Sequence, residues 1–88
     1  MSTSYERTFR AEILKECLAS VAGEALWLET KAGDKLSFEA GVLANHLLNP
    51  EYDSDEALDR AEAELKRYKD EYEKLRQDKE KTANPTED

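Results

Sequence analysis

The chain has 88 residues, 39% of them charged and 39% hydrophobic, and a formal net charge of −8. That length allows one domain at most. The acid excess argues against direct binding to nucleic acid, whose phosphates need a basic surface. A single cysteine, Cys17, excludes an internal disulfide, and a single histidine, His46, with no Cys/His cluster gives no metal or cofactor site.

A core this small leaves only a few kcal/mol of stability, so association with a second subunit or a partner is expected to add to it. No apolar run approaches the roughly 18 residues of a membrane-spanning helix. Residues 1–5 lack the basic-then-apolar layout of a secretory signal. With an unpaired cysteine, this predicts a cytoplasmic setting and no membrane contact.

A first helix is predicted over 4–22. Thr3 can cap it, with Glu6 closing a capping box. Phe9, Ile13, Leu14, Cys17, Leu18 and Val21 recur at helical spacing as a broad apolar face, and Gly23 is a plausible stop. Cys17 on that face reads as a buried, inert thiol.

Residues 25–39 change period. Leu26, Leu28 and Thr30 alternate with Trp27, Glu29 and Lys31, and Leu36 and Phe38 alternate with Lys35, Ser37 and Glu39. Period-two runs on either side of Ala32-Gly33-Asp34 predict a β-hairpin packed on the first helix. Trp27 then lies on the strand face opposite Leu26 and Leu28, either covering a helix or exposed as an interface anchor. A short helix over 40–48 follows, ended by Asn49-Pro50. His46 within it has no partner constellation and reads as structural or exposed.

A long charged helix is predicted over 54–81, capped by Asp53 or Ser54. Leu58, Ala61, Leu65, Tyr68, Tyr72 and Leu75 step by three and four, which keeps one face toward a partner. From Glu51 to Glu64 there are seven acids (Glu51, Asp53, Asp55, Glu56, Asp59, Glu62, Glu64) against one base, Arg60. The cluster lacks the glycine and distant glutamate of a calcium loop, and helix capping explains it. Residues 82–88 are predicted to be a disordered tail.

The fold class expected is therefore α+β: helix, β-hairpin, short helix, and a long C-terminal helix with a coiled-coil-like seam. That last helix would be about 40 Å long, while the other ~50 residues scale to a globule about 25 Å across. A rod longer than its body should project its outer seam, Tyr68, Tyr72 and Leu75, for a partner. If it self-pairs, parallel is preferred, because Glu64 then meets Lys69 of the second copy and Glu71 meets Arg76. The same spacing also fits a helix buried within its own domain.

The function expected is non-enzymatic: a small acidic adaptor or inhibitor of a protein with a basic surface, such as one that binds nucleic acid. It would bind through Leu65, Tyr68, Tyr72 and Leu75, supported by Asp55, Asp59 and Glu62. The alternative is a structural assembly subunit, either a parallel coiled-coil homodimer or a phage-type connector. The helix–hairpin–helix order loosely resembles small head–tail joining proteins, from which the segment 39–49 departs.

Overall fold

The computed structural model describes residues 3–83, with side chains to residue 80. Three helices run through it: α1 (Ser4–Leu26), α2 (Lys31–His46) and α3 (Asp55–Ala83), with a short 3-10 turn at Pro50–Tyr52 before α3. No strand occurs among the described residues, so the expected α+β class is corrected to all-α.

Local chemistry explains where each helix begins. The Thr3 hydroxyl accepts the Glu6 N–H at 3.1 Å, and the Glu6 carboxylate accepts the Thr3 N–H at 2.8 Å, forming the expected capping box. Thr30 caps α2 by accepting the Gly33 N–H at 2.9 Å. Ser54 caps α3 by accepting the Ala57 N–H at 3.1 Å. Asp53, the other candidate cap, instead accepts from Arg7 Nε at 2.7 Å.

The hairpin expected over 25–39 is replaced by the end of α1, a corner and the start of α2. Its residues are mostly Leu, Ala, Lys and Glu, which favour helix, with few of the β-branched residues that favour strands. α1 also continues through Gly23, where a single glycine costs only about 1 kcal/mol amid good helix formers. It ends at Leu26, and the chain turns away at Glu29, whose φ of 56° is left-handed. Successive backbone bonds from Trp27, Leu28 and Glu29 to Glu24, Ala25 and Leu26 tighten that last turn. Gly33 lies in the first turn of α2, where an added Cβ would sit 2.6 Å from the Ala25 carbonyl oxygen. The missing side chain lets α2 start directly against the end of α1. The short helix expected over 40–48 is the second half of α2.

α1 and α2 pack antiparallel, with Ala11, Leu14, Leu18, Val21 and Ala25 buried on one helix and Gly33, Leu36, Ala40 and Ala44 on the other. α3 lies along both and runs parallel to α1. Its start is tied to Arg7 and Arg10, and at its far end Lys79 Nζ donates to the Leu28 carbonyl at 2.8 Å and the Trp27 carbonyl at 3.3 Å. A cation on the last carbonyls of α1 also complements its helix dipole. Leu18, Leu36, Leu47 and Leu58 are the largest fully buried side chains, each contributing about 1.5–3 kcal/mol by transfer from water.

The molecule is long and thin, 56 × 19 × 14 Å. The expected globule of about 25 Å assumed a sphere. α1 is instead about 35 Å long and accompanies α3, itself about 43 Å, as far as Lys79. Of the expected tail 82–88, residues 82–83 are helical, and residues 84–88 lie outside the described residues.

Candidate interaction surfaces

The seam of α3 is where its spacing placed it, and it faces inward. Leu58, Ala61, Leu65 and Tyr68 are buried, and Tyr72 and Leu75 pack half-buried against the same core. Six positions at steps of three and four are covered by α1 and α2 of the same chain. Of the residues expected to meet a partner, Leu65 and Tyr68 are therefore core residues, with Tyr68 only 7% exposed. Arg67 lies over the Tyr68 ring at 5.1 Å and is ion-paired to Glu64. Burial raises the Tyr68 phenol above its ordinary pKa, and the nearby Glu64 carboxylate raises it further.

The acids at the start of α3 are mostly exposed, and besides Glu64, which pairs with Arg67, three of the block are ion-paired to α1. Arg10 reaches Asp59 at 2.7 Å and Glu62 at 2.9 Å, and Arg7 reaches Asp53 at 2.7 Å. The hydrogen bond to Asp59 is the largest influence raising the Arg10 pKa, which keeps that guanidinium charged. These acids hold α1 beside α3. Asp55 is exposed in the first turn of α3, where its charge complements the helix dipole.

The chain also exposes large apolar side chains, among them Phe9 and Ile13, expected on the apolar face of the first helix, and Trp27, expected on a strand. Tyr5 is 81% exposed, Phe9 58%, Ile13 46% and Trp27 83%. All four lie on the side of α1 away from α2 and α3. α1 carries two apolar stripes, the buried Ala11-Leu14-Leu18-Val21-Ala25 and the outer Tyr5-Phe9-Ile13. The first steps by three and four, the second by four. Merging them into one broad face hid the outer stripe, and treating their spacings separately reveals it. Phe38 and Val42, also exposed, flank Leu43 and Tyr68 in a shallow groove between α2 and α3.

Cys17 is a free, half-buried thiol against the core, and His46 is exposed in the last turn of α2. Among the described residues no group of three His, Cys, Asp or Glu could hold a metal ion. No helix among them is long and apolar enough to cross a membrane. No protein-family model, curated protein or solved structure matches the chain. A class can therefore be given only at the level of fold, as an acidic three-helix protein.

Proposed function

We propose that this protein is a small, non-enzymatic, acidic binding protein of the cytoplasm, an adaptor or inhibitor that engages a protein with a basic surface. The observation that supports this reading is an imbalance of charge on the surface of α1. Its bases Arg7 and Arg10 are drawn inward onto Asp53, Asp59 and Glu62, while Glu12, Glu16 and Glu24 stand exposed on its outer side. Exposed acids of this kind steer a cationic partner and repel an anionic one. With α3 packed on its own chain, the contact surface shifts from the α3 seam to the exposed sides of the bundle.

The test uses two immobilised baits, the native chain and one with Glu12, Glu16 and Glu24 replaced by glutamine. Proteins held by the native bait are identified, purified and recombined with the chain in sedimentation. A basic partner that forms a defined complex, elutes with salt and is lost from the neutralised bait supports the reading. Capture of the same proteins by both baits, or turnover of a substrate by the purified chain, overturns it.

A further inference from the structure

The outer face of α1 is more specific than its charge. At 3.6 residues per turn, Tyr5, Phe9, Ile13, Ser20, Gly23 and Trp27 align along one side of the helix, and each is exposed. The line is about 33 Å long at 1.5 Å per residue. It has bulky apolar side chains at both ends, with Glu16 crossing its middle and Ser20 and Gly23 following toward the Trp27 end. A Cβ built at Gly23 meets nothing within 4 Å, so the face is open one turn before Trp27. An exposed apolar line of this length accepts a second helix lying along it, provided that helix sets a base opposite Glu16.

The charges on this face have one sign. Glu6, Glu12 and Glu24 border the line, Glu16 lies on it, and all four are exposed. The bases of α1 lie elsewhere: Arg7 and Arg10 reach toward α3, and Lys15 is half-buried on the inward side. A second copy of the same face would set the four glutamates against their equivalents, with only Lys69 of α3, in the recess that Ser20 and Glu24 line, at one edge. A helix with an apolar stripe flanked by lysine or arginine would cover the apolar line and neutralise its rim.

Resting on the reading of the protein as a binder of basic partners, we infer that the outer face of α1 is the docking site for a cationic amphipathic helix of another protein. The aromatic and aliphatic side chains at positions 5, 9, 13 and 27 are its anchors, and the four glutamates set its charge preference.

Trp27 is the chain's only tryptophan and lies on the face itself, which gives a direct readout. The full chain is titrated with a designed helical peptide of leucine and lysine, and in parallel with its leucine–glutamate counterpart. The expected result is a blue shift of Trp27 emission with the lysine peptide only, weakened by salt. Phe9→Ala with Ile13→Ala, and separately Glu12→Lys with Glu16→Lys, should each weaken binding about tenfold or more. Glu51→Lys with Glu56→Lys, beside the start of α3 and away from this face, should change it little. Circular dichroism of each variant confirms that the helices are kept, since all of the altered side chains are exposed. If the lysine peptide binds without shifting Trp27 and the face variants bind as before, the docking site is wrong while the broader reading stands. If no cationic peptide binds, both are wrong. A Trp27 shift that depends on protein concentration alone makes the occupant a second copy and overturns the inference.

Discussion

Gly33→Ala should destabilise the protein, whereas Gly23→Ala and Gly41→Ala should stabilise it. All three glycines lie within helices, where alanine is intrinsically better by about 0.5–1 kcal/mol. At Gly23 and Gly41 an added Cβ meets nothing within 4 Å, so that gain is realised in full. At Gly33 the Cβ would lie 2.6 Å from the Ala25 carbonyl oxygen and 3.1 Å from Leu28 Cβ. To reach ordinary contact at 3.4 Å, the end of α1 and the start of α2 must part by about 0.8 Å. Overpacking of this kind costs about 1–3 kcal/mol. The Thr30 hydroxyl, 3.0 Å from the same Cβ, would also be disturbed as a cap, at up to about 1 kcal/mol. Set against the helix-propensity gain, the net loss is about 1–2 kcal/mol, which lowers Tm by roughly 5–15 °C in a domain of this size. Thermal and urea unfolding followed by circular dichroism measure all three variants. A Gly33→Ala protein as stable as the native chain would refute the close α1–α2 corner. A destabilised Gly23→Ala would refute a helix running through that residue.

Replacing Tyr68 and Tyr72 by alanine should cost about 3 kcal/mol or more, because the pair belongs to the core; a double variant with an unchanged urea midpoint would return these rings to the surface. Glu29→Gly should raise stability by about 0.5–1 kcal/mol by relieving a left-handed backbone, net of the greater freedom glycine gives the unfolded chain; a lower Tm would show that Glu29 is not held at positive φ. Tyr68 has a raised pKa in the fold, so its contribution is complete below the unfolded value near pH 10 and is lost as pH rises from there through the folded value. Unfolding free energies measured across that range should therefore fall less steeply for Tyr68→Phe than for the native chain, and identical slopes would contradict the assigned burial.

The long helix was legible because its seam repeats over six positions, with charged residues filling the intervals. Its cap was legible as well, since Ser54 precedes a run of acids. What lay against the seam was not, because that depends on the length of α1. A stop read at Gly23 shortens α1, and the β-hairpin replaces half of α2, leaving too little helix to cover α3. Leu26, Leu28, Leu36 and Phe38 do alternate, but over windows too short to separate period two from period 3.6. The decisive signals were Thr30 as a cap and the helical series Leu36, Ala40, Ala44 and Leu47. The left-handed Glu29 gave no warning, since a glutamate at such a position is uncommon. For the candidate surface, Phe9 and Ile13 were recognised as apolar and assigned to the wrong side of their helix. Ala11 and Ala25, the small residues that complete the true core stripe, were passed over.

The whole account turns on α3 lying parallel to α1 of its own chain, with its seam spent on the core and the free apolar surface on the far side of α1. Val21 of α1 and Tyr72 of α3 border the same surface recess. Isotope-filtered nuclear Overhauser spectra on a mixture of labelled and unlabelled protein measure whether those two side chains meet within one molecule. The account predicts contacts between the Val21 methyls and the Tyr72 ring inside a single chain, with none between Tyr72 rings of two copies. Contacts found only between chains would contradict it, placing the α3 seam at an interface between copies.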